Sequence, residues 1–227
     1  YSNHNKIQNI QQRFEEKKIS SHHIVVLQEF WGIVDQIRDV ADRLASAGFV
    51  TAVPDLYDGE STDEREVATR LMNNLDVAAA LRTVEDVSTW LHDHHGTPRV
   101  GIVGFCMGGG LALLAASHSD SPSAVVVYYG AVPWPGQLLE WDHTSPPVQL
   151  HYADRDTWAT TDFGQSVSDA IADAGGHAEL HIYRNTEHAF LDDTRPESHH
   201  PEASNSAWQK MLDFLQTNLG SQGRLQD

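Results

Sequence analysis

Residues 98–117 read Pro-Arg-Val-Gly-Ile-Val-Gly-Phe-Cys-Met-Gly-Gly-Gly-Leu-Ala-Leu-Leu-Ala-Ala-Ser, and their reading decides the fold. The apolar run 100–105, β-branched at Val100, Ile102 and Val103, predicts a buried strand. The Leu- and Ala-rich run 111–116 predicts a helix. Between them, Gly104-Phe105-Cys106-Met107-Gly108 has the form G-x-S-x-G with sulfur in place of the hydroxyl oxygen. A nucleophile in that position stands on a sharp strand-to-helix elbow, and glycines two residues to either side remove the clash that side chains would make. The start of the helix supplies N–H groups and a positive dipole end, which favour a thiolate and a developing oxyanion. The competing reading is a buried cysteine beside a glycine-rich nucleotide loop. Neither G-x-G-x-x-G nor a following Gly-Lys-Ser/Thr is present, so the elbow is preferred.

Outward from the elbow, strand-like and helix-like runs alternate. Before it, 24–27 and 49–53 read as strands separated by a helical stripe at Ile37, Val40, Ala41 and Leu44, with Gly48 at the helix C-terminus. Ser61-x-x-Glu64 has the form of a capping box and predicts a helix containing Arg65 and Arg70. Val77, Ala80, Leu81, Val84, Val87 and Leu91 continue that helical period through to Gly96. After the elbow, 124–129, 148–152 and 178–183 read as strands, 163–174 as a helix, and Trp208, Met211, Leu212, Leu215 and Leu219 as the face of a closing helix. Such alternation predicts an α/β fold: a mainly parallel sheet covered on both faces, with reactive groups at the carboxyl ends of its strands.

A chain of 227 residues accommodates one such domain. Its expected limits are 24–219, between a polar segment 1–23 and a tail 220–227; His22 and His23 are expected to be a surface pair. The formal net charge of -17 argues against nucleic acid and anionic membrane as partners. The uncharged run 100–116 is broken by glycines and reads as strand, turn and helix rather than a membrane span. No apolar signal core opens the chain, so the expected compartment is cytoplasmic. The single cysteine excludes an internal disulfide and, with His and Asp elsewhere, suggests a nucleophile. A metal held by His94-His95 or His199-His200 is disfavoured, because no H-E-x-x-H or Cys/His ligand spacing occurs.

Three groups fall at strand ends in the order Cys106, Asp156, His188, which is nucleophile, acid, histidine. Cys106 would attack an acyl carbon, His188 would shuttle the proton, and Asp156 would orient the imidazole and stabilise its cation. Asp154 satisfies the same spacing, and Asp156 is preferred. Glu29, at the end of the first strand beside Phe30 and Trp31, would be partly desolvated and therefore a stronger base.

These residues carry a resemblance. Gln28-Glu29-x-x-Gly32, Pro54-Asp55-Leu56-Tyr57, Gly104-Phe105-Cys106-Met107-Gly108-Gly109, Tyr128-Tyr129-Gly130 and Glu187-His188-x-Phe190 resemble the dienelactone hydrolases over about residues 24–219. Those are α/β-hydrolase-fold enzymes that open an enol-lactone with a cysteine nucleophile. The resemblance implies Cys106, Asp156 and His188 as a catalytic triad and Glu29 as the group that takes the thiol proton when substrate arrives. It implies an oxyanion hole formed by the N–H groups of Phe30 and Met107. It also implies Trp31 and Tyr129 as substrate contacts, and Arg65 as the residue that holds a substrate carboxylate. At one position the chain departs from the family: Asp192 stands where a second arginine is expected. The two-arginine clamp is then incomplete unless Arg195 reaches in, and poor affinity for carboxylated lactones is expected. The reading is a cofactor-independent hydrolase of a small lactone or ester, monomeric or a small homo-oligomer. Its alternatives are the same triad acting on a neutral ester or thioester, and a catalytically silent relative that binds a small ligand.

Overall fold

Every run that the sequence marks as a strand becomes one, and all lie in a single sheet. The structure, a computed structural model, describes residues 22–95, 99–119 and 122–220. Its strands are β1 (His23–Leu27), β2 (Val50–Ala52), β3 (Val100–Phe105), β4 (Pro122–Tyr128), β5 (Val148–Ala153) and β6 (Ala178–Tyr183). The helices are α1 (Asp35–Ser46), α2 (Arg65–Asn73), α3 (Val77–His95), α4 (Met107–His118), α5 (Thr161–Asp173) and α6 (Pro201–Leu219). The strand order is β2-β1-β3-β4-β5-β6, and every pairing is parallel. The architecture is therefore the α/β sheet expected from the alternation.

Burial explains why the inner strands read as continuous apolar runs. β1, β3 and β5 are buried at every position, as strands covered on both faces must be. β6 closes the sheet as an edge strand and is only half-buried along its length. Helix α4 has no polar face, and its residues from Met107 to Ala116 are all buried. On the opposite face, α1 and α6 meet where the Arg43 guanidinium lies 3.8 Å from the centroid of the Trp208 ring. Rings stack across adjacent strands just behind the site, Phe105 on Tyr128 at 4.9 Å and Tyr128 on His151 at 4.5 Å. Their register pairs these residues directly, which ties together the ends of β3, β4 and β5.

The sheet order also locates a crevice. From β1 the chain crosses to β2 on one side, then returns to place β3 on the other. The carboxyl ends of β1 and β3 therefore flank the topological switch point, where open α/β sheets bind their ligands. Glu29 follows β1 there and Cys106 follows β3.

Three local expectations are corrected. The capping box at Ser61 does not form: α2 starts at Arg65 without a side-chain cap, and the nearby hydroxyl contact is the Glu64 N–H donating to Thr62 Oγ1 at 3.0 Å. His23 is not a surface residue; it opens β1 and is fully buried, because the strand starts one residue earlier than the apolar run suggests. The helical stripes 65–73 and 77–95 are separate helices, and Asp76 accepts the Ala79 N–H at 2.9 Å at the start of the second. Apart from residues 22, 23 and 220, the polar segment 1–23 and the tail 220–227 lie outside the described residues.

Candidate active site

Cys106 occupies a backbone conformation that its neighbours impose. Its φ of 52° and ψ of -113° lie outside the ordinary regions for an L-residue, at a cost of about 1–3 kcal/mol that surrounding structure must offset. Two bonds hold it: its N–H donates to the Tyr128 carbonyl at 3.0 Å, and its carbonyl accepts the Gly110 N–H at 3.2 Å. The elbow closes only because Gly108 has no side chain. A Cβ there would lie 2.5 Å from the Leu27 carbonyl oxygen and 2.6 Å from that of Gln28. The first turn of α4 thus rests directly on the exit of β1, which brings Cys106 and Met107 alongside Gln28, Glu29 and Phe30.

The acid and the histidine arrive from the other side of the sheet. Asp156 follows β5, and His188 lies in the segment after β6. His188 Nδ1 and Asp156 Oδ2 are 2.6 Å apart, while Asp156 Oδ1 accepts the Trp158 and Ala159 N–H groups at 2.8 and 3.0 Å. Asp154 is the wrong choice for this contact. It is exposed, and its carboxylate instead accepts the Thr186 N–H at 3.3 Å, tying the acid loop to the histidine loop. Arg155 completes that tie through its own N–H to the Thr186 carbonyl and its guanidinium to Asn185 Oδ1. From this platform the imidazole lies close enough to the thiol that each favours the other's charged form.

The electrostatics follow from burial and partners. Burial pushes the Cys106 thiol up, against the influence of His188 and the Met107 N–H, which favour the thiolate. Burial alone would lower His188, but its hydrogen bond to Asp156 and the neighbouring Cys106 outweigh that and push it up to about 10. Glu29 is 2 % exposed and its Oε1 has no hydrogen-bond partner. Burial pushes its carboxyl up to about 7; His188 and Arg195 pull it down, while Asp192 pushes it further up. The buried Tyr129 hydroxyl favours the Glu29 anion without meeting it at hydrogen-bonding geometry. Tyr129 itself sits at φ 41° with its ring edge-on to His188 at 5.0 Å.

Around Trp31, the structure revises the expectation of an incomplete clamp. Arg195 does reach in, its guanidinium carbon 4.1 Å from the centroid of the buried Trp31 ring. Its Nε donates to Asp192 Oδ2 at 3.1 Å, and Asp192 Oδ1 also accepts the Thr194 N–H and hydroxyl. Arg65 approaches the same edge from α2, 6.0 Å from both the Phe30 and Trp31 rings. Asp192 is thus buried and partnered rather than a bare charge facing substrate.

Sequence reasoning missed two groups. Trp158, 38 % exposed, stands edge-on to His188 at 5.3 Å and walls the approach to it. The Tyr57 hydroxyl donates to Met107 Sδ at 2.9 Å. Tyr57 lies in a stretch the motifs already cover and Trp158 stands two residues past Asp156, but nothing in the local pattern says where their side chains point. Two of the histidines weighed as metal ligands have other partners: His94 stacks on Trp90 at 4.6 Å, and His200 Nδ1 accepts the Ala203 N–H at the start of α6. Among the described residues, no helix is long and apolar enough to cross a membrane.

Comparison with known proteins agrees with this architecture. Residues 12–219 match the profile of the "Dienelactone hydrolase family". A Yersinia pestis protein named "Putative carboxymethylenebutenolidase" is 32% identical over 207 residues, covering 85% of this chain and 76% of that protein. A Bradyrhizobium protein named "Probable 2-oxo-3-(5-oxofuran-2-ylidene)propanoate lactonase" is 29% identical over 209 residues, covering 86% of this chain and 84% of that protein. Among solved structures, a "Putative Dienelactone Hydrolase" from Klebsiella pneumoniae superposes with a TM-score of 0.76 at 29% identity, covering 89% of each chain.

Proposed function

Because the chain belongs to the dienelactone hydrolase family and is a carboxylic ester hydrolase, we propose that it opens a small lactone or ester through Cys106, His188, Asp156 and Glu29. The observation that carries this reading is the 2.6 Å bond between Asp156 and His188, set against a cysteine held on a strained elbow. Asp156 holds His188 in its cationic form, so the imidazole is poorly placed to take the thiol proton. Glu29 is the better acceptor, since its carboxyl is matched to neutral pH.

The steps then balance. The Cys106 thiol gives its proton to the Glu29 carboxylate, and the thiolate attacks the acyl carbon. The carbonyl oxygen becomes an oxyanion opposite the Phe30 and Met107 N–H groups. The C–O bond of the ester breaks, the leaving oxygen takes a proton from the His188 imidazolium, and a thioester remains on Cys106. Neutral His188 next removes a proton from water, which attacks the thioester. Collapse expels the thiolate, and Glu29 returns its proton to sulfur. The products are the carboxylic acid and the freed alcohol, or the keto form of an enol.

Substrate class follows from the Trp31 wall. Two guanidiniums against the Asp192 carboxylate leave a local excess of one positive charge beside a flat aromatic surface. A planar lactone bearing one carboxylate suits that surface, in keeping with the carboxylated lactones in the names of the relatives. Asp192 within reach of Glu29 favours the second reading, a neutral ester, and the two are separated by comparing kcat/KM for a carboxylated butenolide and its methyl ester. The mechanism itself is tested with Cys106→Ala. Turnover should fall on the order of 10³-fold or more, leaving only what binding and the oxyanion hole supply. An alanine variant as fast as the unaltered protein would mean that another residue is the nucleophile.

A further inference from the structure

The start of α4 is held against β1 from a third direction, by a residue with no role in the chemistry described above. Tyr57 lies in the segment between β2 and α2, 6 % exposed, and its hydroxyl donates to Met107 Sδ at 2.9 Å. A thioether is a weak acceptor, and a buried phenol ordinarily finds a stronger one. Met107 is fully buried and directly follows Cys106 in the chain. The segment that carries Tyr57 is fastened to the other half of the site. The Leu56 N–H donates to Gln28 Oε1 at 3.3 Å, and the Tyr57 N–H donates to Asp55 Oδ1 at 3.0 Å. Gln28 directly precedes Glu29 and stands two residues before Phe30.

We propose that Tyr57 is a positioning residue that fixes the Met107 side of the oxyanion hole relative to the Phe30 side, through its hydroxyl bond to the Met107 thioether. The proposal rests on the cysteine mechanism above. The physical need is plain: two N–H groups on different segments must both point at one oxygen that exists only in the transition state. Stabilisation depends on donors lying about 2.7–3.1 Å from that oxygen, so a small tilt weakens it. Contact between Gly108 and the Leu27–Gln28 carbonyls sets how close the two segments come, but does not involve the Met107 side chain. Methionine is flexible about its side-chain bonds, and apolar packing alone holds it loosely. A hydrogen bond at its sulfur, from a phenol anchored through Gln28, removes that freedom. Burial pushes the Tyr57 hydroxyl further up from its ordinary value, and the neighbouring Cys106 adds to the shift, so the group stays a donor throughout the working pH range.

Tyr57→Phe keeps the ring and removes the donor; Met107→Leu keeps the bulk and removes the acceptor. Each should lower kcat for p-nitrophenyl acetate about tenfold with KM within twofold, short of the ~10²–10³-fold loss when an oxyanion donor is deleted outright. The double variant should be no slower than the slower single one, because both remove one interaction. Alkylation of Cys106 by iodoacetamide at fixed pH should fall far less than kcat in Tyr57→Phe, since that reaction forms no oxyanion. Any of three results overturns the proposal: kcat within twofold in Tyr57→Phe, losses that multiply in the double variant, or alkylation that slows in parallel with kcat. Should Tyr57→Phe fail to fold, the split between kcat and alkylation in Met107→Leu decides on the same criteria. Loss of activity in Cys106→Ala with an unaffected Tyr57→Phe would remove this proposal alone. Full activity in Cys106→Ala would remove the mechanism beneath it.

Discussion

Two carboxylates stand at opposite ends of the candidate active site, almost equally buried and opposite in condition. Asp156, after β5, is surrounded by donors: the Trp158 and Ala159 N–H groups bond one oxygen and His188 the other. Glu29, after β1, keeps an oxygen without any hydrogen-bond partner, and its carboxyl is pushed up to about 7. Burial is common to both, at 7 % and 2 % exposure, so burial cannot be what separates them. The difference lies in supply of donors. A buried carboxylate met by three donors is fixed in place and can orient a neighbour; one that lacks them gains by taking a proton. One end of the site is built to hold still and the other to change state.

Three substitutions sharpen or break that contrast. The largest effect is expected for Asp156→Asn, which keeps the shape but offers His188 the wrong partner. A loss on the order of 10³–10⁴-fold in kcat is expected, as for the corresponding change in serine triads, together with a lower midpoint of thermal unfolding. A variant within tenfold of the unaltered protein would mean that His188 does not depend on this carboxylate.

Glu29→Gln should reduce kcat by ~10²-fold, within the usual range for one proton-transfer group, yet change stability in the opposite direction. The sign follows from the shift. The folded value lies near 7 and the unfolded one near 4.5, so the unfolded chain releases this proton first as pH rises. Folded-state stability therefore falls between those values and stays lowered above about 7. A shift of that size corresponds to roughly 3 kcal/mol. Urea unfolding at pH 8 should find the glutamine variant more stable than the unaltered protein, with the gap closing toward pH 4.5. In the unaltered protein kcat/KM should rise through about pH 7 as Glu29 ionises and decline through about pH 10 as His188 loses its proton. Persistence of the lower limb in Glu29→Gln would assign it to another group.

The smallest effect belongs to Asp192→Asn. Removing this charge should move the lower limb to more acidic pH by under ~1 unit, because Arg195 already offsets much of it. Freeing that guanidinium should also lower KM for a carboxylated lactone by a few-fold, roughly the worth of one exposed ion pair, and leave a neutral ester nearly unchanged. An identical change for both substrates would place position 192 out of contact with the substrate.

The sequence by itself determined the sheet, the elbow and the order of the reactive groups. Those are local properties: an apolar run of strand length, glycines where α4 must rest on backbone, and chemistry-bearing residues just past strand ends. Tertiary structure decided which of Asp154 and Asp156 turns toward His188, that Arg195 reaches Trp31 despite the aspartate at 192, that His23 is buried, and that Tyr57 grips Met107. Each of these depends on the direction of a side chain and on a partner remote in the chain, as far apart as Trp31 and Arg195. Periodicity reports which face a residue occupies, and it carries no information about distances between faces that only packing brings together.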